Sequence, residues 1–171
     1  METKTKKKKK RKIQSYLIFM LDNEKYAIHV SRILSIVEMH NITKVPKSEA
    51  HLKGVINLRG EIIPVIDSHI KFNLPPSTIT MKTNILILDI VWSAYEKIKL
   101  GLMIDKIDKV IKITKKQILK PPKIDKDFKN EYVTGMYESD DGSFIMILDI
   151  EKALSLNNLL VPKKEKLAEV A

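Results

Sequence analysis

Cysteine is absent from the 171 residues, which excludes a disulfide framework and thiolate metal ligation and suits a reducing cytoplasm. Glycine is scarce, at five, too few to build a phosphate-cradling loop as well as the turns of a small fold. Neither GxGxxG nor GxxxxGK[ST] occurs. Aromatic residues make up only 6%, so there is no stacking platform for nucleic-acid bases. No apolar run approaches the roughly 20 residues of a membrane helix. The N-terminus imitates a signal peptide, because basic Lys6 to Lys12 precede apolar Tyr16 to Leu21. That apolar run stops at Asp22-Asn23-Glu24-Lys25, short of the ~7–15 residues of a secretory core, and reads as a first strand.

Catalytic groupings are equally sparse. His29, His40, His51 and His69 stand 11, 11 and 18 residues apart, without the spacing of a zinc site, and read as surface or half-buried side chains. There is no GxSxG elbow. Asp140-Asp141-Gly142 lacks the further carboxylates of a calcium loop and reads as a hairpin turn. Asp105 and Asp108 sit among lysines and read as a solvated strand end. These readings point to a protein that is not an enzyme and holds no metal or cofactor.

What is abundant is positive charge, +10 in all, but residues 1–12 carry eight of the 31 bases against one acid and account for +7 of it. Such a run repels itself and stays solvated. It could attract nucleic acid or anionic lipid, and a binding protein driven by this tail is the alternative to the reading reached below. The nearly neutral remainder is globular, with 44% hydrophobic residues over the chain.

Its apolar residues fall in short β-rich blocks between polar tips. Strands are predicted at Gln14–Leu21, Lys25–Val30, Ile33–Val37, Lys53–Leu58 and Glu61–Ile66. Five more follow at Asn84–Ile90, Lys97–Ile104, Lys109–Ile113, Tyr132–Tyr137 and Ser143–Leu148. Short helices are expected at Ser68–Phe72 and Glu151–Ser155.

The chain is written twice. Tyr26–Val37 (YAIHVSRILSIV) lies over Leu100–Ile111 (LGLMIDKIDKVI) without a gap. Gly54–Asp67 (GVINLRGEIIPVID) lies over Gly135–Asp149 (GMYESDDGSFIMILD) with one extra residue in the second tip. The matched glycines mark paired hairpins, and the matched Asp67 and Asp149 can cap the helices that follow. The reading is all-β, with two five-stranded barrels related by an approximate twofold, one at about 13–73 and one at about 80–150. Leu74-Pro75-Pro76-Ser77-Thr78 links them. Residues 1–12 form a disordered basic tail, 13–158 a single domain, with its C-terminal helix packing across the first barrel, and 159–171 a second tail. Pro64, which cannot donate to a ladder, requires an edge or a bulge in the first barrel only, since its counterpart is Met146.

The tip Asn57-Leu58-Arg59-Gly60 stands out. Its counterpart, Tyr137 to Gly142, is acidic and carries no base. Arginine offers a planar fork of donors suited to carbonyls or a carboxylate at an interface. With no chemistry to serve, the tip reads as part of a binding surface.

KGVINLRGEIIPVID with its following helix, EKYAIHVSRILSIVEMHNITKVP upstream and EYVTGMY with FIMILDIEKAL downstream resemble the chemotaxis coupling family CheW, from about Gln14 to Leu156. The resemblance implies two SH3-like barrels and a non-enzymatic, cytoplasmic adaptor associated with membrane-attached receptor arrays. It implies coupling of chemoreceptor cytoplasmic tips to the histidine kinase CheA, through the kinase's CheW-like regulatory domain, and contact with other CheW copies in array rings. Carried onto this chain, the family's receptor groove involves Ile33, Gly54, Asn57 and Arg59 with Ile107 and Val110. Its kinase contact falls near Leu119, Pro122, Lys123 and Ile124, where this chain is basic and aliphatic rather than acidic and aromatic.

Overall fold

The computed structural model describes residues 10–122 and 132–154. The strands are β1 (Ile13–Leu21), β2 (Glu24–His29), β3 (Ile33–Glu38), β4 (Leu52–Leu58) and β5 (Glu61–Asp67), followed by the one-turn helix α1 (Ser68–Lys71). Then come β6 (Asn84–Ser93), β7 (Glu96–Ile104), β8 (Lys106–Thr114), β9 (Val133–Glu138), β10 (Phe144–Leu148) and helix α2 (Ile150–Ala153). All ten predicted strands are present among the described residues, with β6 three and β8 four residues longer than expected. The expected end of the last helix, Ser155, lies outside the described residues, as do residues 1–9 of the basic tail and the segment 159–171.

The pairing corrects the sequence division into units at 13–73 and 80–150. One five-stranded sheet runs β8-β1-β2-β10-β9 and the other β3-β6-β7-β5-β4. Each is built from the first two strands of one repeat and the last three of the other. The two orders superpose when β1 is matched with β6, β2 with β7 and so on, so the approximate twofold holds while the halves interlock. Repeats in sequence reveal which strands are equivalent, and say nothing about which copy completes which sheet.

Both sheets close in the same way. The chain leaving edge strand β3 returns at Thr43 to bridge Val55 on the opposite edge, and the chain leaving β8 returns at Leu119 to bridge Met136. Each bridge carries two backbone hydrogen bonds of 2.8–2.9 Å. Closure hides the strand edges that would otherwise template pairing with other chains. Gly54 and Gly135, expected at hairpin tips, lie inside β4 and β9 beneath these returns. A Cβ on Gly54 would strike the Thr43 carbonyl and one on Gly135 the Ile118 side chain. Only Gly60 and Gly142 occupy tips, with φ of 84° and 80°.

Apolar residues fill three compartments. Tyr16, Ile18, Ala27, Ile113, Ile145 and Ile147 fill one barrel, and Ile56, Ile63, Val65, Ile85, Ile87 and Met103 the other. The largest cluster, sixteen buried residues including Phe19, Ile28, Leu88, Leu102 and Leu148, draws on both sheets and lies between them. Pro64 pairs with Val55 on β4, and the parallel ladder to β7 begins only at Val65. Its missing N–H therefore falls where that flank has no partner. The counterpart Met146 is already paired with Tyr26, which is why only one barrel accommodates a proline.

The helices pin the crossings between barrels. The Asp67 carboxylate accepts the N–H groups of His69 and Ile70, and Asp149 those of Glu151 and Lys152, as the capping reading expected. His69 and Glu151, each two residues past its cap, then reach a crossing. Arg32, in the 3-10 turn between β2 and β3, meets Glu151 at 2.6 Å. Asp105, between β7 and β8, lies 2.8 Å from His69 Nε2 and also accepts the Asp22 N–H at 2.9 Å. His69 Nδ1 lies 2.6 Å from the Pro75 carbonyl. His69 is thus fully buried, neither the surface nor the half-buried side chain expected, and Asp105 is a tie point rather than a solvated strand end.

Replacing His69 by Leu removes the contacts to Pro75 and Asp105 together. We expect a loss of about 2–3 kcal/mol of stability, the scale of hydrogen bonds to a charged group. Urea unfolding followed by circular dichroism reads it. In contrast, Ser68→Ala, at a fully buried hydroxyl without a hydrogen-bond partner among the described residues, should be neutral or stabilising.

Candidate functional site

The β4–β5 hairpin pairs Leu58 with Glu61, so Arg59 and Gly60 alone form the turn. Their φ values of 52° and 84° are those of a type I′ turn, whose twist matches the flanking strands. The β1–β2 hairpin solves the same problem with Asp22-Asn23, at φ 49° and 64°, using residues that tolerate the left-handed region. An arginine there costs roughly 1–2 kcal/mol. Asn57 offsets part of this, because its Oδ1 accepts the Gly60 N–H at 3.0 Å. Asn57 is therefore the brace of the tip.

Beside this tip lies a depression of about 310 Å³ at one end of the second barrel. Leu34, Leu58, Ile63 and Ile87 give it an apolar lining, with Arg59, Glu61 and Lys99 around it. Lys99 Nζ holds both oxygens of Glu61, at 2.8 and 2.6 Å. Arg59 makes no ion pair among the described residues and stands exposed. On the same sheet, Leu34, Ile36 and Ile62 are 49%, 44% and 74% exposed.

The pseudo-equivalent end of the first barrel is built differently. Internal alignment puts Asp108 where Leu34 stands and Lys25 where Lys99 stands, and these two pair with each other at 3.6 Å. The tip there is acidic and self-satisfied. Asp141 Oδ1 accepts from the Ser139 and Ser143 hydroxyls, both at 2.6 Å, and from the Ser143 N–H at 2.9 Å. These bonds hold the exposed Asp141 carboxyl well below the usual carboxylate range. Of these two equivalent barrel ends, the one at Arg59 combines an apolar lining with a cation that makes no ion pair among the described residues.

The other expected receptor positions divide into three groups. Ile33 and Ile107, on β3 and β8, both pack half-buried against the shared core, one from each sheet, in keeping with their matched places in the repeat. Val110 is 54% exposed on edge strand β8. No residue of β8 lines the depression at Arg59, so Ile107 and Val110 are not brought into it. Gly54 is buried beneath Thr43 and shapes the barrel. Leu34, Leu58 and Ile62 were missed by sequence reasoning. The signal was there: Ile33-Leu34 and Ile36-Val37 place apolar residues on both faces of a strand, one face more than a core requires.

Of the expected kinase positions, Leu119 is 46% exposed and borders a second depression, with Tyr16, Ile118, Ile147, Lys115 and Lys120. Pro122 is exposed, and Lys123 and Ile124 lie outside the described residues.

Residues 15–157, nearly all of the folded part, match the family model described as the CheW-like domain. The chain belongs to the CheW-like family. It is 31% identical over 141 residues to the chemotaxis protein CheW of Treponema pallidum, covering 82% of each chain. Against the chemotaxis protein CheW of Bacillus subtilis it is 37% identical over 109 residues, 64% of this chain and 67% of that one. Among solved structures it resembles the crystal structure of the scaffolding protein TtCheW from Thermoanaerobacter tengcongensis, with a TM-score of 0.73 and 29% identity over 85% of this chain and 95% of that one. The interlocked sheets are thus the paired SH3-like barrels of the CheW-like fold, and the chain is a chemotaxis adaptor. The basic-tail alternative finds no support in these matches.

If the tip holds Arg59 against its backbone preference, relieving that strain should stabilise the fold. Arg59→Asn, which places the favoured Asn-Gly pair in a type I′ turn, is expected to add about 0.5–1 kcal/mol. Thermal unfolding would register this as a higher midpoint, and an unchanged or lower midpoint would contradict the strain.

Proposed function

We propose that this CheW-like protein joins the cytoplasmic helical tip of a chemoreceptor to the regulatory domain of the histidine kinase CheA, and catalyses no reaction itself. It works in the cytoplasm, gathered into receptor arrays attached to the membrane, where other CheW-like copies are further partners. Family membership supports the role, and the observation that carries the receptor site is the unpaired Arg59 held in a strained turn beside an apolar depression. A sequence keeps an unfavourable backbone conformation where the side chain it presents is useful. A receptor helix lays apolar side chains on Leu34, Leu58 and their neighbours, and the guanidinium fixes its register through a carboxylate or carbonyl. Ile33, Ile107 and Val110 extend the contact along the seam between the barrels. The kinase domain, with the same fold, docks barrel to barrel at the segment containing Leu119, Pro122, Lys123 and Ile124.

Arg59→Ala should leave the fold intact and lower receptor binding by about tenfold or more, the effect of removing a central arginine anchor. Co-sedimentation with receptor arrays measures it, and undiminished binding would reject the receptor role of Arg59. Removing residues 1–12 should leave kinase coupling unchanged, since β1 begins at Ile13. A reconstituted array assay of kinase activity that shows lost coupling would make the tail a functional part.

A further inference from the structure

Resting on the receptor site just proposed, we infer that Lys99 is a positioning residue: it sequesters Glu61 so that Arg59 stays available to a carboxylate on the receptor helix. Glu61 stands two residues from Arg59 across a tight turn, on the same depression, and is 57% exposed at its side chain. An uncommitted carboxylate so placed would pair with the guanidinium and close the site against an acidic partner. It is instead held at both oxygens by Lys99, which arrives from β7.

Lys99 is free for this task because of a second pairing. Its cross-strand neighbour on β6 is Asp89, a natural partner. Asp89 is taken by Lys97 at 3.2 Å. Each carboxylate on this flank therefore has its own lysine, and Arg59 is left over. In the other barrel the counterpart lysine, Lys25, pairs with Asp108, and the corresponding tip offers no cation.

The depression is accordingly matched to a helix that carries a large apolar side chain and a carboxylate about one turn apart. The apolar group lies on Leu34, Leu58 and Ile63, and the carboxylate meets Arg59. The pair Lys99–Glu61 is exposed and contributes little to stability. Its effect is on which partner Arg59 meets.

The test is the affinity of the full chain for a receptor cytoplasmic tip fragment, measured by titration calorimetry for four variants. Lys99→Met, which keeps the length of the side chain and frees Glu61, should weaken binding by about two- to fivefold, the scale of an exposed ion pair. Adding Glu61→Gln to it should restore affinity to within about twofold of the parent, because no carboxylate remains to capture Arg59. Glu61→Gln alone should bind at least as well as the parent. Arg59→Ala reports on the underlying reading: parental affinity there would mean that the receptor does not use this tip. If Arg59→Ala is weak but Lys99→Met binds as the parent does, or if Lys99→Met/Glu61→Gln stays as weak as Lys99→Met, the sequestering role is overturned.

Discussion

The sixteen apolar side chains buried between the two sheets are the constraint on which the rest of the molecule depends. Each barrel interior holds only six buried residues, too few for a stable domain of its own. The shared compartment binds the barrels into one body. It also explains why the sheets are completed by strands of the other repeat: with β1 and β2 in one barrel and β3 to β5 in the other, the chain itself crosses the seam. Those crossings are the places where charged side chains are spent, Arg32 on Glu151 and Asp105 on His69. The two ties have opposite polarity, with the acid on the helix in one and on the crossing in the other. The helix-side residues of the two ties, His69 and Glu151, match in the repeat, whereas the crossing-side residues differ by one position and in charge.

A duplicated scaffold would by default offer two similar surfaces, and an adaptor needs two different ones. The difference is made at the ends of the barrels and leaves the walls alone. Leu34 against Asp108 and Arg59 against an acidic, serine-bridged tip turn one end into an apolar recess with a free cation. The other end becomes a closed polar surface. Few substitutions achieve this, because strand register and core are untouched by residues that point outward at a tip.

Much of this was legible before any coordinates. Alternating apolar residues located the strands, since burial on a pleated sheet imposes a period of two. Asp67 and Asp149 announced their caps, and Pro64 announced an incomplete flank. Strand exchange was not legible, because equivalent strands carry equivalent patterns and pairing β1 with β2 and β8 buries the same apolar faces as pairing it within its own half. Gly54 and Gly135 were misplaced for a related reason. A glycine needed for positive φ and one needed for close approach of a returning chain look identical in sequence, and only the bridges at Thr43 and Leu119 tell them apart. The role of His69 depended on a contact to Asp105 from a distant segment, beyond any local spacing rule. At the site, Arg59 was conspicuous by its charge, whereas Leu34 and Ile62 looked like ordinary core residues until the fold left them outside.

The interlocking has a consequence for biosynthesis. The hairpin β1–β2 leaves the ribosome first, yet its neighbours in the finished sheet, β8 and β10, are among the last strands made. At roughly 5–20 residues per second the nascent hairpin waits on the order of ten seconds for them. During that interval Leu17 and Phe19 have only their hairpin partners Ile28 and Tyr26, and the rest of their core cluster has not yet been made. Neither half of the chain contains all five strands of either sheet, so no native barrel can be completed until strands of the second repeat have been made.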